Sequence, residues 1–158
     1  RHAYEAAIYQ KWHMEVARVI PNMTLKLHPK NRFSPTRYCA TECRRLEECI
    51  DDYDLLIFDF FATGAVIAIY SDKPVIYFDI GLRSLAPEFA AVLRQRCFVV
   101  QIDFSAPYCW EEQIRLGVMR YEQEYRDQSY ENLEQFSLCE NNELRFGELV
   151  LDIIEGRK

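Results

Sequence analysis

Long hydrophobic runs are missing from this 158-residue sequence. A membrane-spanning helix needs roughly 18 to 20 consecutive apolar residues, and no segment approaches that length. The first residues, Arg-His-Ala-Tyr-Glu, also lack the apolar centre of a secretory signal peptide. The sequence therefore predicts a cytoplasmic protein without a membrane span, and it leaves peripheral attachment to a membrane open.

An excess of basic residues is absent as well. Lys and Arg number 19 and Asp and Glu number 25, which gives a formal net charge of -6 at pH 7 and a sequence pI near 5.1. A protein whose main partner is a nucleic-acid backbone normally shows the opposite balance. We therefore expect no nucleic-acid partner, and we expect any contact with phosphate to be local.

Paired metal-binding motifs are a third absence. The cysteines include no Cys-x-x-Cys pair, and no nearby histidine completes a tetrahedral zinc site. They are scattered through a chain with ample core residues rather than set in a small disulfide-linked frame. We interpret them as reduced thiols and predict no metal and no cofactor. The cysteines are Cys39, Cys43, Cys49, Cys97, Cys109 and Cys139.

Two familiar nucleotide-binding motifs are missing too. The sequence contains neither Gly-x-Gly-x-x-Gly nor Gly-Lys followed by Ser or Thr. The first is the fingerprint of dinucleotide-binding folds and the second is the P-loop. Neither type of site is therefore available to this chain.

Residues 54–79 hold the clearest pattern that is present. A short apolar run over residues 55–58 is followed by a polar and glycine-containing break over 59–64. A segment with helical spacing, 65–70, leads to a second apolar run, 75–78. This order predicts a βαβ unit with two buried strands. Its strand-to-helix turn is expected at the carboxyl edge of the sheet, where such folds bind ligands.

The flanking segments extend this unit into alternating strands and helices. With 49% hydrophobic residues, the chain can fill the core of a single domain spanning residues 1–158. We predict an α/β domain with a Rossmann-like parallel sheet of four or more strands and helices on both faces. The other predicted elements are helices over residues 1–20, 36–50, 108–128 and 144–154, a helix that starts at Pro87, and strands over 23–27 and 97–102.

The predicted helix at the very start of the chain is unusual for an α/β domain. The sequence also lacks an initiating methionine. We therefore expect the chain to be part of a longer protein.

The turn at residues 59–64 supplies the first candidate binding residues. Asp59 opens the turn, Thr63 offers a hydroxyl at the expected N-cap of the next helix, and Gly64 lets the backbone approach a ligand. The amide groups at the start of that helix can hold an anion. The alternative is that Thr63 only caps its helix.

His28 and Lys30 form a second group of candidates. They lie where the carboxyl end of the preceding strand is expected, so both can face the same edge as Thr63. A cation beside an imidazole suits a diphosphate, although each residue taken alone is interpreted as an ordinary surface-loop residue. His2 and His13, on the first predicted helix, are interpreted as structural or exposed.

These motifs in combination resemble one protein family. The order Leu-Lys-Leu-His-Pro-Lys, Asp-Leu-Leu-Ile-Phe-Asp-Phe, a small-Thr-Gly turn and Asp-Lys-Pro-Val-Ile-Tyr-Phe is similar to the carboxyl-terminal half of GT-B-type glycosyltransferases. The nearest branch is that of bacterial surface-polysaccharide and CDP-glycerol glycerophosphotransferase-like enzymes. The resemblance covers residues 23–102. It implies that His28, Lys30, Thr63 and Gly64 hold the diphosphate of a nucleotide-activated donor.

The resemblance leads to a functional hypothesis. The chain would be the donor-nucleotide-binding domain of a glycosyl- or glycerophosphotransferase in surface polysaccharide or polyol-phosphate polymer synthesis. The donor would be CDP-, UDP- or GDP-linked, a separate amino-terminal domain would hold the acceptor, and the isolated domain would be inactive. A sugar-nucleotide epimerase domain is one alternative. A receiver-type signalling domain with Asp59 as phosphoacceptor, or a non-catalytic scaffold, is an alternative of another class.

Overall fold

The computed structural model describes residues 2–27, 38–82 and 84–127, which form alternating helices and strands. The helices are α1 (His2–Val19), α2 (Thr63–Tyr70), α3 (Pro87–Arg96) and α4 (Trp110–Asp127). The strands are β1 (Thr24–Lys26), β2 (Ala40–Glu42), β3 (Leu56–Phe58), β4 (Val75–Asp79) and β5 (Phe98–Gln101). Two short 3₁₀ turns, Leu46–Glu48 and Ile50–Asp52, precede β3.

The described strands form two separate parallel sheets. β3, β4 and β5 are hydrogen-bonded in that order, with Leu56 opposite Val75 and Ile76 opposite Phe98. β1 and β2 form a two-stranded sheet of their own. The predicted βαβ unit is therefore confirmed as β3, α2 and β4. The larger sheet has three strands rather than the four or more predicted, because in the described residues β1 pairs with β2 and not with β3.

The segment predicted as a helix over residues 36–50 is different in the structure. Where it is described, it forms β2 and the first 3₁₀ turn. Its charged residues lack an apolar stripe at helical spacing, so a helix there would have little to pack. The strand gains backbone partners instead, and the Leu27 N–H donates to the Glu42 carbonyl at 2.9 Å. Arg44 then links the carboxylates of Glu42 and Asp52.

Side chains along the three-stranded sheet alternate between two apolar layers. One layer is built with α1 and α4, and the other is built with α2 and α3. Helices therefore cover both faces of this sheet, as predicted. The first layer contains Trp12, Val16, Ile76, Phe78, Val100, Trp110 and Ile114, and the second contains Leu56, Ala68, Val75, Tyr77, Leu93 and Cys97.

A glycine lets α4 lie very close to β5. A Cβ added to Gly117 would be 2.6 Å from Val100 Cγ1 and 3.0 Å from Val100 Cγ2. Carbon atoms pack at about 3.5 to 4.0 Å, so a larger residue cannot fit without moving the helix or the strand. The contact fixes how deeply α4 sits on the sheet.

Arg96 is a buried side chain that binds backbone carbonyl groups at the carboxyl-terminal end of α2. The side chain is 7% exposed, and its Nε donates to the Ile69 carbonyl at 2.9 Å. Its Nη2 donates to the carbonyl oxygens of Ala68, Ser71 and Lys73. A cation at this end of a helix also meets the partial negative charge of the helix dipole. Arg96 thereby joins α3 to α2.

Two of the predicted regions lie outside the described residues. They are the final helix over residues 144–154 and the loop that contains His28 and Lys30. Among the helices that the structure does describe, none combines the length and the apolar character required to cross a membrane.

Candidate functional site

Asp59 directly follows β3 at the carboxyl edge of the three-stranded sheet. Because side chains alternate along a strand, Asp59 shares a face with Leu55 and Ile57. Both of these pack against the layer built with α1 and α4. A carboxylate therefore stands at the end of an apolar row that faces α1, four residues before α2 begins at Thr63.

One oxygen of Asp59 receives two side chains of α1. The indole Nε1 of Trp12 donates to Asp59 Oδ2 at 2.8 Å, and His13 Nε2 lies 3.2 Å from the same oxygen. The side chains of His13 and Asp59 are 31% and 24% exposed, so the pair is partly shielded but open on one side. These contacts join residues 46 and 47 positions apart in the sequence.

Aromatic rings hold the indole of Trp12 in place. Trp12 is fully buried, and its ring makes edge contacts with Phe78, Phe104 and Trp110 at centroid distances of 5.7, 5.8 and 5.6 Å. Phe104 also stacks on Trp110 at 4.6 Å. The Trp12 N–H is thus a fixed donor, which positions the carboxylate of Asp59.

Opposing effects set the pKa of Asp59. Partial burial among apolar side chains raises it, whereas the hydrogen bond and charge of His13 and the N–H of Trp12 lower it, and the net result is a pKa below the ordinary value. The carboxyl group is therefore ionised at neutral pH and can only accept hydrogen bonds. It follows that His13 Nε2 carries a hydrogen, and that a neutral imidazole presents its lone pair at Nδ1.

Thr63 and Gly64 occupy the first turn of α2, but Thr63 is not the N-cap predicted for it. The N-cap residue is Ala62, so Thr63 is the first helical residue, and its exposed side chain does not cap the helix. A Cβ added to Gly64 would lie 3.6 Å from Phe58 and 3.7 Å from Leu46, which is ordinary contact within the protein. The role predicted for Gly64, to let the backbone approach a ligand, stays a prediction.

The amide groups of this turn remain relevant to anion binding. The N–H groups of Ala65 and Val66 turn back to the Ala62 carbonyl. The N–H groups of Thr63 and Gly64 come earlier, where a helix has no carbonyl of its own to receive them. These two amides are the part of the predicted site that the start of α2 supplies.

The other predicted site residues, His28 and Lys30, lie outside the described residues. The described strand before them, β1, pairs with β2. The expectation that His28 and Lys30 face the same edge as Thr63 stays a prediction.

His13 is the site residue that sequence reasoning missed. It was interpreted as structural or exposed because nothing near it in sequence suggests a partner. The helix predicted over residues 1–20 contains both His13 and its neighbour Trp12, but the partner of the Trp12 N–H could not be foreseen. The only available signal was a histidine beside a buried tryptophan, and that signal does not point to Asp59.

Other acidic residues at this edge are engaged in local turns. Asp79 accepts hydrogen bonds from the Gly81 N–H at 3.1 Å and from Gln101 Nε2 at 2.8 Å. Asp103 accepts from the backbone N–H and the hydroxyl of Ser105. Within the described ranges, no group of three or more His, Cys, Asp or Glu side chains could hold a metal ion. The pair of His13 and Asp59 is therefore the best candidate for chemistry at this edge.

The pair also bears on the receiver-type alternative. A phosphoacceptor must present its carboxylate to a phosphate donor, whereas Asp59 Oδ2 is already held by Trp12 and His13. These contacts occupy one carboxylate oxygen and orient the imidazole of His13. The receiver-type alternative stays a prediction.

Fold and site together define an α/β domain with parallel strands, helices on both faces of its three-stranded sheet, and an Asp–His pair at the carboxyl edge. Comparison with protein-family models, curated proteins and solved structures gives no match for this chain.

Proposed function

We propose that this chain binds the nucleoside diphosphate of a nucleotide-activated donor at the carboxyl edge of the β3-β4-β5 sheet. In this proposal it is the donor domain of a GT-B-type glycosyl- or glycerophosphotransferase that builds surface polysaccharide or polyol-phosphate polymers, and a separate domain presents the acceptor. The observation that carries the proposal is the pair formed by His13 and Asp59, at the edge where parallel α/β sheets bind ligands.

The proposed site meets the charge of a diphosphate in two ways. The amides of Thr63 and Gly64 point from the start of α2 and favour an anion. The imidazole of His13, which Asp59 orients at 3.2 Å, can offer a hydrogen-bond donor or a positive charge to the ligand. As the donor bond breaks, negative charge grows on the leaving diphosphate, and groups fixed in advance stabilise that charge best. Asp59 then acts through His13 rather than by touching the phosphate.

Exposed apolar side chains at the same edge support the proposal. Phe60 follows β3 and is 39% exposed, Leu82 follows β4 and is 42% exposed, and Tyr108 follows β5 and is 87% exposed. Ligand sites in proteins combine apolar surface with a few oriented polar groups. These side chains offer such surface to a nucleobase and to the domain that would face this edge.

Calorimetric titration of the full-length protein with CDP, UDP and GDP tests the proposal. Saturable binding of at least one nucleotide is expected. The absence of binding for all three at millimolar concentration would overturn it, and turnover of a sugar nucleotide without any acceptor would identify an epimerase instead.

A matched pair of variants tests whether the nucleotide lies at the start of α2. Thr63→Glu and Thr63→Gln place side chains of the same size at an exposed position, and only Glu adds negative charge. Glu in the first turn is favourable for the helix itself. We expect Thr63→Glu to weaken nucleotide binding about tenfold or more relative to Thr63→Gln, from repulsion of like charges at short range. Equal affinities would move the nucleotide away from α2.

A further inference from the structure

The second nitrogen of His13 is the feature that the proposed function leaves unused. We propose that His13 takes up a proton when the nucleoside diphosphate binds, and that it donates this proton in a hydrogen bond from Nδ1 to a phosphate oxygen. This inference rests on the proposed function and names the group that recognises the diphosphate.

The geometry decides which nitrogen can do this. Nε2 is 3.2 Å from Asp59 Oδ2, and that oxygen is itself fixed by the Trp12 N–H at 2.8 Å. A proton gained by the ring must therefore be added at Nδ1. The ring remains 31% exposed, so a ligand at the sheet edge can approach it.

Asp59 and Tyr9 are titratable side chains that lie against His13. Asp59 Oδ2 is 3.2 Å from His13 Nε2, and the Tyr9 ring lies 6.3 Å from the imidazole. Lys11, the nearest cation on α1 in sequence, lies over the Trp110 ring at 5.8 Å. The rings of Phe78, Phe104 and Trp110, which contact Trp12, carry no charge. Asp59 is thus the anion that a proton on His13 neutralises.

Charge balance then couples the proton to the ligand. With a neutral imidazole, a diphosphate would meet the unbalanced negative charge of Asp59. With a protonated imidazole, the pair is neutral overall and Nδ1 becomes a donor. Binding of the diphosphate should therefore draw a proton from solution. By linkage, uptake of one proton makes affinity fall by up to about tenfold per unit of rising pH.

Calorimetry in two buffers of different ionisation enthalpy measures the proton directly. For the full-length protein and its best nucleotide at pH 7.5, we expect proton uptake, and we expect it to be lost in His13→Gln. Gln keeps an N–H that can reach Asp59 but cannot be protonated. Arg18→Gln, on the exposed side of the same helix, is the control and should keep the uptake of the unmodified protein.

A second measurement avoids reliance on a variant that could fail to fold. The imidazole ¹⁵N shifts of unmodified protein, recorded with and without saturating nucleotide, should show Nδ1 becoming protonated on binding. Binding without proton uptake, or uptake that persists in His13→Gln, would overturn the inference and leave the proposed function standing. Failure of every nucleotide to bind would overturn both.

Discussion

At the residue scale, the proposed site depends on Asp59 and the two side chains that bind it, Trp12 and His13. The contribution of Trp12 can be measured against a matched control. Trp12 and Trp110 are both fully buried, but only Trp12 donates to Asp59. The Trp110 N–H has no hydrogen-bond partner within the described part of the chain. Trp12→Phe and Trp110→Phe therefore remove similar apolar area, and only the first removes a hydrogen bond to a charged group.

We expect Trp12→Phe to lower the free energy of unfolding by about 1 to 3 kcal/mol more than Trp110→Phe does. Urea denaturation of both variants and the unmodified protein measures the difference. If the two variants lost equal stability, the hydrogen bond from Trp12 to Asp59 would contribute nothing.

The lowered pKa of Asp59 predicts how stability depends on pH. A carboxyl group with a lower pKa in the folded state contributes stability that is fully present above its unfolded value, about 3.9 for Asp. That contribution disappears as the pH falls through the folded value. Asp59→Asn removes the titration, so the unmodified protein should exceed it by about 1 to 3 kcal/mol near pH 6. The gap should shrink as the pH falls below about 4. Urea midpoints across this range test the prediction, and a gap independent of pH would contradict it.

At the scale of single elements, α2 depends on a side chain that belongs to α3. Arg96 donates to four carbonyl oxygens at and beyond the end of α2. Arg96→Met keeps an unbranched apolar stem but removes these four charge-assisted hydrogen bonds, and we expect a loss of about 2 to 4 kcal/mol. Arg94→Met, two residues earlier at an exposed position of the same helix, should change stability by less than about 0.5 kcal/mol. Thermal and urea denaturation measure the stability of both variants. Equal losses of stability in the two variants would contradict this role of Arg96.

The contact of α4 with β5 gives a second prediction at this scale. Alanine normally favours a helix over glycine by about 1 kcal/mol. At Gly117, however, the added Cβ would collide with Val100, and overpacking of this kind costs about 1 to 3 kcal/mol. We expect Gly117→Ala to destabilise the protein, and to do so less when Val100 is also Ala. A double-mutant cycle measures this coupling, and stabilisation by Gly117→Ala would show that α4 is free to move away.

At the scale of the whole molecule, the spacing of apolar residues predicted the individual strands and helices. The buried strands and the short helix of residues 54–79 were foreseen because apolar side chains at periods of two and about 3.6 report the structure directly. The helix predicted over residues 1–20 and the strand predicted over 97–102 are confirmed as α1 and β5 for the same reason. The layered α/β arrangement was therefore predictable.

What the sequence did not reveal depends on partners far away in the chain. The helix predicted over residues 36–50 is wrong because the charged sequence around Arg44 does not indicate that β2 pairs with β1. The predicted number of strands in the sheet was wrong for the same reason, because strand order is set by tertiary packing. The predicted N-cap, Thr63, is one residue too late, because the N-cap in the structure is Ala62. Sequence patterns rarely fix the exact end of a helix. His13 could not be linked to Asp59 by any local signal.

The central claim is that a nucleoside diphosphate binds at the carboxyl edge formed by His13, Asp59 and the start of α2. The most direct measurement is an NMR titration of isotope-labelled full-length protein with CDP, UDP and GDP, read residue by residue. We expect saturable chemical-shift changes at the amides of Asp59, Thr63 and Gly64 and at the His13 ring. Changes confined to the opposite edge, near Arg96 and the amino-terminal ends of the strands, or no changes at all, would contradict it.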